Sequence, residues 1–180
     1  MITVLDLTFR PYISATEIDL AIQKMADKIN SDYADKNPIF LCILKGSFIF
    51  ASDLFKKIAI PSEIEFIRLK SYDGTRSTEH IQTILGLQVD IKDKHIIILE
   101  DIVDTGHTLD SLLKDLKKEM PASLKVASLI FKKEAFQKSF EIDYLGFEIE
   151  NKFIVGYGLD YNEQGRNLPE IYQLVTEQSI

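Results

Sequence analysis

A chain of 180 residues suits one domain with a substantial core, and 46% hydrophobic with 27% charged residues is ordinary globular composition. A net charge of −7 argues against nucleic acid or an anionic membrane surface as a partner. The lone Cys42 excludes an internal disulfide, residues 1–7 lack the basic region and apolar core of a signal peptide, and no apolar run approaches a membrane span. The expectation is a cytoplasmic, soluble, single-domain protein over residues 1–180.

After a short opening segment with Pro11, Ser14 and Glu17 have the spacing of a capping box. The helix they start carries Ile18, Ile22, Met25 and Ile29 on one face and is expected to reach about Tyr33. Residues 39–44 are wholly apolar and read as a buried strand, followed by Lys45, Gly46 and Ser47. Phe48, Ala51, Phe55 and Ile58 then repeat at helical spacing. Lys45 is either solvated at a turn or placed to meet an anion. Pro61 precedes an alternating strand at 64–69, and 71–79 is a polar run without periodicity. That run is either an idle loop or a lid with Ser71 and Tyr72 at its hinge.

Residues 96–99 are four apolar residues, three of them β-branched, followed by Glu100, Asp101 and Asp104, then Thr105, Gly106, His107 and Thr108. Leu109, Leu112, Leu113, Leu116 and Met120 continue at helical spacing. The pattern is strand, acidic loop, tight turn, helix, the place where open α/β sheets bind ligands. Three crowded carboxylates repel one another and favour a divalent cation or a set of hydroxyls. The backbone amides and hydroxyls of Thr105, Gly106, His107, Thr108 and Leu109 at a helix N-terminus favour an anion. The plainer alternative is that Asp104 and Thr105 cap the helix and the other acids are solvated.

Buried strands follow at 125–131, ending in Lys132 and Lys133, and at 144–149. The segment 152–163 sets Gly156 and Gly158 among large apolar residues, a sign of close backbone approach. Phe153 within it is either a core aromatic or a stacking plate for a flat ligand. His80, His95 and His107 lack metal-ligand spacing.

The run from 96 to 109 resembles the phosphoribosyl pyrophosphate motif of the type I phosphoribosyltransferases. With residues 44–47, residues 68–72 with Ser77 and Thr78, Lys132, and residues 152–163 with Arg166, nearly the whole chain resembles their hypoxanthine (hypoxanthine-guanine) branch. The resemblance implies an α/β fold: a mostly parallel twisted sheet flanked by helices, with a small C-terminal hood. It implies a purine-salvage enzyme transferring the phosphoribosyl group from phosphoribosyl pyrophosphate to hypoxanthine, and to guanine, with Mg2+ as cofactor, in a homodimer or homotetramer. It implies that Asp104 takes a proton from the purine, and that Glu100 and Asp101 hold the ribose hydroxyls directly or through magnesium. Thr105, Gly106, His107, Thr108 and Leu109 would cradle the ribose phosphate, His107 through its backbone only. Lys45, Gly46 and Arg166 would meet pyrophosphate across an unusual peptide bond. Lys132, Lys152, Phe153, Ile154 and Asp160 would serve the purine side of the site, Lys132 facing the 6-oxo group and Phe153 stacking, while Asp160 also serves a second magnesium. Ser71 and Tyr72 would belong to the lid, where Glu79 departs from the glycine common in relatives. Two rivals stay open: a xanthine-specific transferase, and a nucleotide- and RNA-binding regulator, whose expected basic face sits poorly with a net charge of −7.

Overall fold

A computed structural model describes residues 1–70, 82–87 and 89–176. The expected lid residues Ser71 and Tyr72, and Glu79, lie outside these described residues.

The apolar runs become a six-stranded sheet. Its strands are β3 (Ile39–Leu44), β4 (Glu63–Lys70), β5 (Gln82–Leu85), β6 (His95–Val103), β7 (Ser123–Lys132) and β8 (Tyr144–Ile149). Their spatial order is β5-β4-β3-β6-β7-β8, and every pairing is parallel except β4 with β5. From β3 the chain steps outward to β4, then returns to place β6 on the other side of β3. The order therefore reverses between β3 and β6, and the crevice at their carboxyl ends is the natural ligand position. The β3–β6 register sets Ile39 beside Ile96 and Cys42 beside Leu99, so the turn after β3 lies against Glu100 and Asp101.

Helices cover both faces. Helix α1 (Ala15–Asp32) begins at the capping box formed by Ser14 and Glu17, and it buries Ile18, Ile22, Met25 and Ile29. With α2 (Phe48–Phe55) it packs on the face carrying Cys42, Ile97 and Leu99. Helix α3 (His107–Lys118) packs on the opposite face through Leu109, Leu113 and Leu116, against Ile96 and Ile98. A strand buried on both faces has no polar side to show, which explains the unbroken apolar runs of β3 and β6.

Several expectations shift. Helix α2 turns Phe50, Ala51 and Leu54 inward, leaves Phe48 45% exposed and ends at Phe55, although Phe55 and Ile58 still pack against the same core. Met120 lies beyond the C-cap of α3, at positive φ and largely exposed. The hood is not C-terminal alone. Strands β1 (Ile2–Val4) and β2 (Leu7–Ile13) pair with β10 (Ile171–Leu174) and β9 (Ile154–Val155) in the order β1-β2-β10-β9. Its small core of Val4, Phe9 and Val155 joins both ends of the chain. Pro11 fits because β1 flanks β2 only as far as Phe9, leaving that edge unpaired beside the proline.

Ile97 sits in the central strand with no exposed surface. Ile97→Ala is expected to lower unfolding free energy by about 2–5 kcal/mol in chemical denaturation. A loss below about 1 kcal/mol would contradict the central packing assigned to β6.

Candidate active site

Strand β6 does not end before the acids but runs through them to Val103. Along it, Ile97 and Leu99 join the core on the α1–α2 face, and Ile96 and Ile98 the core on the α3 face. After the acids the assignment inverts: Ile102 packs on the first face and Val103 on the second. The period-two alternation thus slips across Glu100 and Asp101, and neighbouring carboxylates that strand geometry would send to opposite faces engage each other instead. Burial, then the adjacent Asp101 charge, pushes the Glu100 carboxyl well above its ordinary range. Burial also raises Asp101, partly offset by several interactions that include the Arg166 charge.

Beyond β6 the chain turns through Asp104, Thr105 and Gly106 into α3. Gly106 is the N-cap at φ +80°, with no side-chain cap. The capping alternative for Asp104 and Thr105 is therefore not what the structure adopts. A Cβ on Gly106 would lie 2.6 Å from the Phe136 ring, which meets Phe140 edge-on with centroids 5.0 Å apart. Gln137 donates its amide to the Thr105 carbonyl at 3.1 Å, and its side chain meets His107 Nε2 at 3.1 Å. The β7–β8 connection thus braces the loop from behind. Ile43, Leu69, Glu100 and residues 102–109 line a cavity of about 240 Å3 in front of it. The N-terminal end of α3 borders this cavity, an anion-favouring arrangement.

The turn after β3 meets this cavity from the side. A cis peptide joins Leu44 to Lys45. Buried Ser47 donates to the Ile43 carbonyl at 2.5 Å and sits 3.0 Å from Cys42 Sγ, whose thiol burial pushes up to about 11. That cysteine is packing, not a nucleophile. Gly46 has no room for a side chain, since a Cβ would lie 1.7 Å from Asp101 Oδ2. Gly158 of the hood, at φ +98°, has none either, with a Cβ 2.1 Å from the Gly46 carbonyl oxygen. Three segments far apart in sequence touch here backbone to backbone or carboxylate. Arg166 donates to the Gly158 carbonyl at 2.8 Å and pairs with Asp160 at 2.7 Å, while Glu163 pairs with Arg166 at 3.2 Å and with Lys45 at 2.9 Å.

At the far side of the loop, Lys132 ends β7 only 7% exposed, and its Nζ lies 3.0 Å from Asp104 Oδ2. Phe153 is 43% exposed on the hood, edge-on to Tyr161 at 5.8 Å and near Phe9 at 6.1 Å. A phenylalanine this exposed is not the core aromatic of the plainer reading. Ile154 is buried in β9, paired with Gln173 of β10. Lys152 is engaged by Glu150 at 2.8 Å and lies over the Tyr12 ring.

The structure therefore joins Glu100 with Asp101, Asp104 with Lys132, and Lys45 with Arg166 through Glu163. It does not gather Glu100, Asp101 and Asp160 into one cluster; among the described residues no group of three such ligands is arranged around a point, and Asp160 is paired with Arg166. The sequence reading missed Glu163 as a hub and the brace of Phe136, Gln137 and Phe140. The four-residue spacing of the two phenylalanines was the available signal for the brace.

The raised Glu100 carboxyl has a thermodynamic consequence. A native carboxyl that holds its proton tightly is most stabilising at low pH, and that stability declines as pH rises through the elevated value. Glu100→Gln is expected to raise the melting temperature at neutral pH, by about 2–4 °C for each kcal/mol of repulsion relieved. The gain should shrink as pH falls towards 4.5 and vanish below it, where Glu100 is protonated in the native and the unfolded chain alike. A lowered melting temperature at neutral pH, or a shift independent of pH, would contradict the strained pair.

The chain matches the family described as phosphoribosyl transferase domain over residues 14–162. It is 43% identical over 166 residues to a hypoxanthine-guanine phosphoribosyltransferase of Streptococcus pneumoniae, covering 92% of each chain. It is 40% identical over 157 residues to a hypoxanthine-guanine-xanthine phosphoribosyltransferase of Tritrichomonas foetus, covering 86% of this chain and 85% of that one. The solved structure of a Staphylococcus aureus hypoxanthine phosphoribosyltransferase superposes with a TM-score of 0.90 at 36% identity, covering 98% of this chain and 96% of that one. A match across most of the length, with relatives well above 30% identity, shows that the chain belongs to the phosphoribosyl transferase domain family.

Proposed function

We propose that this chain serves purine salvage by transferring the phosphoribosyl group of phosphoribosyl pyrophosphate to a 6-oxopurine, hypoxanthine and also guanine, giving the nucleoside monophosphate and pyrophosphate. The observation that carries the reading is the Lys132–Asp104 pair, 3.0 Å apart beside the phosphate-favouring loop. An ammonium only donates and an ionised carboxylate only accepts. A 6-oxopurine offers the complement, an oxo acceptor and a ring N–H, so its arrival exchanges one ion pair for two hydrogen bonds. Asp104 then takes the ring proton as the base attacks the sugar carbon, a role that requires the carboxylate within hydrogen-bond reach.

The rest of the site is assigned around that pair. Thr105, Gly106, His107, Thr108 and Leu109 hold the ribose phosphate, Lys45, Gly46 and Arg166 the pyrophosphate, Phe153 the purine face and the Ile154 backbone its edge. Lys152 stays at the rim, held by Glu150. Glu100 and Asp101 fit Mg2+ together with the ribose hydroxyls, since burial and mutual repulsion make the pair costly to ionise unless a cation neutralises it. When bound, magnesium would neutralise the pyrophosphate as it departs. Asp160 is the candidate for a second magnesium, which requires it to loosen from Arg166. The proposal also comprises a single domain over residues 1–180, a homodimer or homotetramer and a cytoplasmic location; among the described residues no helix is long and apolar enough to cross a membrane.

Adenine carries an amino donor where hypoxanthine carries its oxo group, so it would face the Lys132 ammonium donor to donor. A polar site left unpaired by the wrong substrate discriminates by about 10⁴ or more. Nucleotide formation assayed with phosphoribosyl pyrophosphate, magnesium and each base should favour hypoxanthine over adenine by that order. Lys132→Ala should lose most hypoxanthine activity and narrow the gap. An unchanged ratio would refute the role of Lys132, and no nucleotide from any base would overturn the proposed reaction.

A further inference from the structure

Glu163 occupies an unusual position. Tyr161 and Gln164 exchange backbone hydrogen bonds at 2.9 and 3.0 Å, closing a two-residue turn with Asn162 at φ +48° and Glu163 at φ +65°. Turns with both central residues at positive φ strongly favour Asn followed by Gly. The asparagine is present, but glutamate stands where glycine would relax the backbone. A side chain kept in a sparsely populated backbone region points to a function for that side chain.

Its carboxylate has two partners, one on each oxygen: Lys45 Nζ at 2.9 Å on Oε1 and Arg166 Nη2 at 3.2 Å on Oε2. The two cations come from the turn after β3 and from the hood, and they converge on one anion much as they would on a phosphate bridging them. Arg166 does not depend on Glu163 for its position, since the Gly158 carbonyl and Asp160 hold the guanidinium independently. Its Nε is buried without a hydrogen-bond partner, so the group retains unused donor capacity. Glu163 itself is 62% exposed, free to swing into solvent.

We propose that Glu163 is a resident stand-in for pyrophosphate, a carboxylate that holds Lys45 and Arg166 together in the substrate-free protein and that the incoming pyrophosphate displaces. The inference rests on the pyrophosphate role given above to Lys45 and Arg166. The stand-in has two effects. It keeps two like charges from repelling one another in the empty site, and it weakens the hold on the pyrophosphate product by offering the cations a return partner.

The test is calorimetric titration of inorganic pyrophosphate, with magnesium present, into wild type, Glu163→Gln and Glu163→Gly. Glu163→Gln removes the charge and keeps the shape. Glu163→Gly also relieves the positive φ, so it should fold at least as well as wild type. Two exposed ion pairs surrendered on binding should make both variants bind pyrophosphate about 3- to 10-fold more tightly. The KM for phosphoribosyl pyrophosphate should fall by a similar factor while kcat does not rise. Unchanged or weaker binding by Glu163→Gly, in a preparation whose wild type binds pyrophosphate and turns over, would overturn the stand-in alone. Wild type that neither binds pyrophosphate nor forms nucleotide would instead overturn the reading of the site on which the inference rests.

Discussion

The contact on which the site depends is the stack of Asp101, Gly46 and Gly158. A carboxylate at the end of β6, the turn after β3 and a backbone loop of the hood approach so closely that neither glycine has space for a Cβ. Removing two side chains lets three chain segments, separated by more than fifty residues each, meet where the sheet order reverses. Any added atom there would push the hood outward or rotate Asp101 away from Glu100. The glycines thus contribute position rather than chemistry, and the adjoining Lys45 and Arg166 inherit it.

Charge compensation is the second organising feature. Each group expected to meet a charged or polar part of a substrate already has a partner of its own. Lys132 is matched with Asp104, Lys45 and Arg166 with Glu163, and Arg166 also with Asp160. Glu100 and Asp101 are the exception, two acids set against each other, and their shared strain is a reason for a cation to bind there. Substrate binding in such a site is an exchange of ion pairs, which limits the desolvation cost of holding bare charges near a low-dielectric core.

Much of this was legible from sequence. The apolar run of β3 and the capping box of α1 gave strand and helix close to their observed ends, and that of β6 gave its start but not its passage through the acids to Val103, because burial on both faces and a local cap leave signatures independent of tertiary context. The Lys132–Asp104 pair was expected only as two separate roles, since nothing local says that the ends of β6 and β7 will meet. Glu163 escaped notice for the same reason: its partners lie on another segment, and a glutamate in a polar turn reads as solvated. The hood was half seen. Strand β1 has only three residues, and in β2 the alternation begun by Leu7 and Phe9 is interrupted at the exposed Pro11, so neither stands out. The slip in alternation at Glu100 and Asp101 is invisible in a sequence whose pattern there is broken by the acids themselves.

The close stack is tested most directly by Gly46→Ala. Gly46 is not among the residues at positive φ, so alanine can adopt its backbone and the nearest contact of the new methyl is with Asp101. A displacement of about 1 Å in a positioning element costs on the order of 10²-fold in rate. The account predicts that kcat/KM for phosphoribosyl pyrophosphate falls by about that factor while circular dichroism shows an intact fold. A folded Gly46→Ala protein with wild-type kcat/KM would contradict it.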